Sequence, residues 1–160
     1  LNNLAIAVAV LQAREPSCRV GILDIDVHHG DGTQDIMLNR PGVFFVSLHQ
    51  SPLYPGTGLR SEENCANFPL PAGTEEAAYL KTLDKGLCCL EKFKPDYLAV
   101  SAGFDTYRGD PLAQLRLEKT SYRGIGSLLA GTGLRRFAVL EGGYSSDLPA
   151  LVENFLETFL

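Results

Sequence analysis

The sequence predicts an α/β protein built on a parallel sheet with helices on both faces. Three observations carry that prediction. Short, continuously apolar strand runs alternate along the chain with longer segments of helical period. Such alternation makes successive strands parallel, joined by right-handed crossovers. Polar clusters fall where the strand runs stop, at the edge of a parallel sheet where ligands bind.

Residues 1–14 carry Leu4, Ala7, Val8 and Leu11 on one stripe and read as a helix, ended by Glu15-Pro16. Residues 19–26 form a buried strand. A short helix over 33–38 is stopped by Asn39-Arg40-Pro41-Gly42, and 43–48 (Val-Phe-Phe-Val-Ser-Leu) is a second buried strand. Residues 49–72, rich in Pro, Gly and Ser, read as one long irregular loop, a length that usually serves a function. Thr74 is placed to cap a helix running to about Phe93. Residues 97–101 form a third strand, ending in Ala102-Gly103-Phe104-Asp105. Residues 119–129 are helical, although Gly124 and Gly126 weaken that helix. A fourth strand, 136–140, ends in Glu141-Gly142-Gly143-Tyr144, and Asp147 caps a closing helix that tolerates Pro149 in its first turn.

With 160 residues, 45% of them apolar, the chain can bury one domain's core. A net charge of −5 argues against a dedicated nucleic-acid or anionic-membrane binder. The apolar runs are too short to span a bilayer, and Leu1-Asn2-Asn3-Leu4 lacks the basic start of a signal peptide. Cys18, Cys65, Cys88 and Cys89 form no C-x-x-C pair and read as reduced structural thiols of a cytoplasmic protein. The chain begins with Leu1 rather than Met, inside an apolar stripe with no evident entry cap. We therefore expect the C-terminal portion of a longer protein, with residues 1–160 belonging to one catalytic domain.

The densest chemistry lies in Asp24-Ile25-Asp26-Val27-His28-His29-Gly30-Asp31-Gly32-Thr33. Unpaired buried carboxylates are costly, so acids at a strand end are normally paired or bound to metal. In an extended segment Asp24, Asp26 and His28 share a face. Two carboxylates and an imidazole suit Zn²⁺. Asp105, after another buried strand and a small-residue turn, is the best further ligand, although it can instead cap a turn before Tyr107-Arg108-Gly109. Asp26, His28 and Asp105 would leave one coordination position open, as catalytic zinc requires. Tyr144 follows a double glycine and can donate a hydrogen bond to a developing oxyanion. Asp24 and Asp31 can orient other groups, or Asp31 can be a plain turn residue. His29 and His49 read as structural histidines. Gly56-x-Gly58 is not a phosphate loop, because the lysine and following helix are missing.

The 24–33 stretch resembles the zinc motif of the histone deacetylase superfamily, which includes the acetylpolyamine amidohydrolases. Four further stretches agree in order and spacing: Leu1-Asn2-Asn3-Leu4-Ala5; Val46-Ser47-Leu48-His49; Ser101 to Asp105 with Gly109-Asp110-Pro111-Leu112; and Leu140 to Tyr144. The resemblance implies the arginase/deacetylase fold and an amidohydrolase that removes acetyl from N-acetyl-lysine or a related acetylated amine. It implies Asp26, His28 and Asp105 as zinc ligands, and Tyr144 as the group that polarises the acetyl carbonyl. It implies Asp24 and Asp31 as partners of two tandem catalytic histidines. Asp24, Ser47 and Leu48, with oxygens of Asp26 and His28, match a structural potassium site. Tyr54, Gly103, Phe104, Leu112, Gly142 and Gly143 match the walls of the substrate channel.

Two departures qualify the resemblance. The family's tandem histidines, which handle the proton of the attacking water, have no counterpart among the chain's three histidines, His28, His29 and His49. Residues 1–160 alone are therefore expected to be inactive. Glu141 replaces a glycine found in part of the family, and Leu112 stands where the polyamine-selective member carries an acid; together they resemble the class II and bacterial lysine deacetylase branch. The rival expectations are an acetylpolyamine amidohydrolase, another metallohydrolase such as a phosphoesterase, and a non-catalytic interaction fragment. Oligomeric state is not legible.

Overall fold

The computed structural model describes residues 1–160. At its centre is β1 (Val20–Asp24), buried along its whole length. It is flanked by β2 (Val43–Gln50) and β4 (Tyr97–Ala102), with β3 (Cys65–Leu70) and β5 (Arg135–Leu140) outside them. The strand order is β3-β2-β1-β4-β5. Every pairing is parallel, so all carboxyl ends share one rim. Asp24 is in register with Ser47 on one side and Ser101 on the other.

Side-chain alternation divides the core into two layers. Val20, Ile22, Val43, Phe45 and Ala99 pack with Leu4, Ala5 and Val8 of α1 (Asn3–Arg14) and Met37 of α2 (Asp31–Met37). Leu23, Val46, Leu48, Leu98 and Val100 face the opposite layer. There they meet α3 (Glu76–Phe93), α4 (Ser121–Gly131) and α5 (Leu148–Phe159) through Leu83, Ile125 and Phe155. Helices cover both faces, as the sequence predicts. No helix is long and apolar enough to cross a membrane.

Several local expectations are corrected. The loop predicted over 49–72 contains β3, an edge strand that carries Pro69. Proline is admissible there because an edge strand leaves some N–H groups outside the ladder. Helix α1 does have an entry cap: Asn2 Oδ1 accepts Ala5 N–H at 2.8 Å. Thr74 does not cap α3, whose N-cap is Glu75; the Thr74 hydroxyl donates instead to the Pro71 carbonyl. Asp147 stands at the N-cap of α5, but its carboxylate accepts from Tyr107 and pairs with Lys119. Gly126, which weakens α4 by propensity, faces α5. A Cβ there would lie 2.5 Å from the Phe155 carbonyl, so the small residue lets the two helices touch.

Candidate metal centre

Beyond Asp24 the chain leaves the strand, two residues earlier than predicted, because the acids bond to their own backbone. Asp24 Oδ1 accepts Asp26 N–H at 3.0 Å, and Asp26 Oδ1 accepts His28 N–H at 2.9 Å. These local bonds compete with a sheet ladder. Residues 25–27 then cross the rim: Ile25 N–H donates to the Ser101 carbonyl, and Gln50 N–H donates to that of Val27.

The crossing brings the predicted ligands together. His28 Nδ1 lies 3.0 Å from Asp26 Oδ1 and 3.2 Å from Asp105 Oδ2. The candidate donor atoms of Asp26, His28 and Asp105 all lie within 4.8 Å of one another. Asp105 is fully buried. Its Oδ1 accepts Val27 N–H at 2.8 Å, whereas Oδ2, outside hydrogen-bonding geometry with His28, has no donor. The second Asp26 oxygen accepts Gly142 N–H at 2.8 Å.

The electrostatics follow from this crowding. Asp105 and Asp26 push the His28 imidazole up to about 10. Burial pushes the Asp105 carboxyl up to about 6, against the pull of His28. Burial would raise Asp26 too, but the His28 ring and the N–H groups of His28 and Gly142 hold it below the usual carboxylate value. Asp24, 2% exposed, is held well above its ordinary value by burial and by Asp26.

The donor set fits a divalent borderline cation. One buried carboxylate oxygen lacks any partner, and two carboxylates with one imidazole are a zinc-type set. Bare backbone walls the acids: a Cβ on Gly142 would sit 2.5 Å from Asp26 Oδ2, and one on Gly103 would strike the Asp26 backbone.

Beside these residues opens a polar cleft of about 510 Å³, lined among others by Asp24, Asp26, His28, Glu141, Gly142 and Tyr144. The loop after β5 enters it. Glu141 N–H donates to the Ala102 carbonyl, and Phe104 N–H donates to that of Gly142. Gly143 has φ 137°, a conformation that favours glycine. Tyr144 is 57% exposed. Burial, with Asp105 and Asp26 nearby, raises its phenol, which keeps it a proton donor.

Other predicted residues fall differently. Asp31 begins α2, and its exposed carboxylate accepts Gly32 N–H, away from the acid–histidine cluster. Ser47 is buried and bonds His49 Nδ1 at 3.0 Å; Leu48 is fully buried. Tyr54 and Leu112 are exposed on their loops. Phe104, predicted on a channel wall, instead puts its ring in the core between Tyr122 and Phe155, while its backbone N–H bonds the site loop.

Two features escape the sequence reading. His29 and His49 pack with ring centres 4.7 Å apart and planes tilted by 52°, and they hold the long loop, His29 Nδ1 through Thr57 Oγ1 and His49 Nε2 through the Gly58 carbonyl. Burial and its neighbour His29 push His49 down to about 4. Asp110 is also buried and accepts two backbone N–H bonds, from Leu112 and Tyr144. The sequence offers a short Gly-Asp-Pro signal for the second and only a histidine beside a strand end for the first.

Comparison with known proteins agrees with this geometry. The histone deacetylase domain family matches residues 1–159. A probable deacetylase of Archaeoglobus fulgidus is 41% identical over 92% of the chain and 44% of its own length. An acetylpolyamine amidohydrolase of Burkholderia pseudomallei is 40% identical over 99% of the chain and 49% of its own length. A crystal structure of acetylpolyamine aminohydrolase from that organism superposes with a TM-score of 0.93 at 38% identity, covering 99% of this chain and 49% of its own. The chain thus spans about half the length of the curated relatives it matches. With the matched domain, the shared fold and the assembled acid–histidine cluster together, the chain belongs to the histone deacetylase family.

Proposed function

We propose that the protein carrying this chain is a zinc-dependent amidohydrolase that removes acetyl from N-acetyl-lysine or a related acetylated amine. Residues 1–160 form the C-terminal portion of a single deacetylase-like catalytic domain in that protein. The observation that carries this proposal is the buried, donorless Asp105 Oδ2, 3.2 Å from His28 Nδ1 and grouped with Asp26. Asp26, His28 and Asp105 would hold the zinc. Zinc at such a site supplies a Lewis acid for the amide carbonyl and makes a water more acidic. The chain's own residues do the rest. Asp105 Oδ1 and Asp26 Oδ2 are fixed by backbone N–H groups, so each keeps its other oxygen aimed at His28. Tyr144 keeps its proton and donates it as a hydrogen bond to the carbonyl oxygen as negative charge develops there.

Gly103, Gly142 and Gly143 leave room beside the acids for the acyl group, with Tyr54 and Leu112 at the channel mouth. Asp24, Ser47 and Leu48 are proposed to bind potassium, since Asp24 and Ser47 are in register across β1 and β2. Asp24 and Asp31 would support tandem histidines supplied from outside this chain, so turnover belongs to the whole protein. All four thiols are free, consistent with the cytoplasm.

A 40% identical relative that is an acetylpolyamine amidohydrolase supports a second reading, in which a small acetylated amine is the substrate. The test uses the full-length protein with an acetyl-lysine peptide, an acetylated diamine and a chromogenic phosphate ester. Stoichiometric zinc and amide hydrolysis, both lost in His28→Ala and Asp105→Ala, are expected. Folded protein without zinc, or persistent phosphate release alone, would overturn the proposal.

A further inference from the structure

We infer that Asp110 is a positioning residue for Tyr144, an inference that rests on the proposed role of Tyr144. Tyr144 lies in a segment without regular structure, behind Gly142 and Gly143, and its side chain is mostly exposed. Packing therefore does little to fix it. Its main chain is fixed by Asp110, whose Oδ2 accepts the only hydrogen bond that Tyr144 N–H makes, at 2.9 Å. A carboxylate that accepts a backbone N–H holds it about twice as strongly as a neutral acceptor does.

Asp110 is suited to this task because it is itself held. It is 7% exposed, and its own N–H donates to the Tyr107 carbonyl at 3.0 Å. The Tyr107 hydroxyl donates to Asp147 Oδ2 at 3.0 Å, three residues past Tyr144. Lys119 Nζ closes the far side of Asp147 at 2.7 Å. The loop after β4 is thus stitched to the loop after β5 at Phe104–Gly142, Asp110–Tyr144 and Tyr107–Asp147. The Asp110 stitch alone grips Tyr144 directly.

The same carboxylate has a second grip. Its Oδ1 accepts Leu112 N–H at 2.9 Å, which places the exposed Leu112 side chain relative to Tyr144. One buried acid therefore sets the distance between the group that polarises the carbonyl and a residue at the channel mouth. Misplacement of a catalytic group by about 1 Å can cost ~10²-fold in rate.

The test is a double-mutant cycle in the full-length, zinc-loaded protein: Asp110→Asn, Tyr144→Phe and the pair, with an acetyl-lysine peptide. Asp110→Asn is nearly isosteric but turns an amide N–H toward one of the two backbone donors. We expect it to lower kcat by about 10- to 100-fold, with KM within about threefold and zinc content unchanged. In the Tyr144→Phe background it should cost less than about threefold more. Hydrogen exchange over residues 141–146 should quicken. An unchanged kcat, or an equal loss in both backgrounds, would overturn the inference. If Asp110→Asn does not fold, Asp110→Ser takes its place; unfolding of both would mean a purely structural acid and also overturn it. If Tyr144→Phe keeps full turnover, or the wild type hydrolyses neither the peptide nor an acetylated diamine, the functional proposal fails instead. Hydrogen exchange then still decides whether Asp110 holds the loop.

Discussion

Gly142 is the residue at which one added carbon should test the site most directly. Its backbone is not in the left-handed region, so alanine brings no backbone strain. The effect of Gly142→Ala is therefore steric. The new Cβ would stand 2.5 Å from Asp26 Oδ2 and closer still to Asp105 Oδ2. An ordinary contact begins near 3.4 Å, so the separation from Asp26 Oδ2 must grow by about 0.9 Å and that from Asp105 Oδ2 by more. If the loop retreats, the 2.8 Å bond from Gly142 N–H to Asp26 breaks, a charged hydrogen bond worth ~1.5–3 kcal/mol. If the acids retreat, two of the three candidate ligands leave their positions. Altering a contact that orients a ligand typically costs ~10- to 100-fold in metal affinity. A shift of this size two residues before Tyr144 should cost ~10²-fold in kcat. Zinc affinity by competition with a chromophoric chelator and steady-state turnover of the full-length protein would measure both. Affinity and kcat each within about twofold of wild type would refute the close packing of Gly142 on the acids.

Three further predictions follow from particular contacts. The His28 imidazole, held up to about 10 chiefly by Asp105, is protonated at neutral pH without metal. Because its folded value exceeds the ordinary ~6.5, its contribution to metal-free stability is fully present below pH ~6.5 and lost as pH rises towards 10. Zinc binding should then release a proton near pH 7 and tighten as pH rises, as calorimetry in buffers of different ionisation enthalpy would record. Gly126→Ala should destabilise the fold by ~1–3 kcal/mol despite better helix propensity, because its Cβ would lie 2.5 Å from the Phe155 carbonyl; urea denaturation is the check. Tyr79 has a fully buried hydroxyl with no partner. Tyr79→Phe should leave stability unchanged or raise it by up to the ~1–3 kcal/mol that an unsatisfied buried group costs, read as an equal or higher melting temperature.

The strands the sequence foretells are β1, β2 and β4 at the centre of the sheet and β5 at one edge. Strands β1, β2 and β4 have helices on both faces, so their side chains are apolar up to the polar carboxyl ends and their runs stand out. Strand β3 lies at an edge, holds Asn67 and Pro69, and takes its shape from pairing with β2, a partner invisible to local pattern. The acids of the site are legible for a similar reason. Asp26, His28 and Asp105 are polar where burial should forbid polarity. The contacts of Asp110 are hidden because its partners are backbone N–H groups, which every residue but proline carries. The same holds for His49, which meets the Gly58 carbonyl through a loop turn.

The cluster draws its donors from two strand ends that are neighbours in space but 78 residues apart in the chain, measured from Val27 to Asp105. An unfolded chain offers a metal only the local Asp26–His28 pair. The third donor arrives once β1 and β4 are in register, Asp24 beside Ser101. Metal affinity is therefore a gauge of long-range order. At a free metal concentration 100 times the dissociation constant, a ligand confined to the native state adds ~2.7 kcal/mol to stability. By the same linkage, a lesion as remote as the α4–α5 contact should lower apparent metal affinity once it populates unfolded chains. A chelator should in turn lower the melting temperature of the whole sheet.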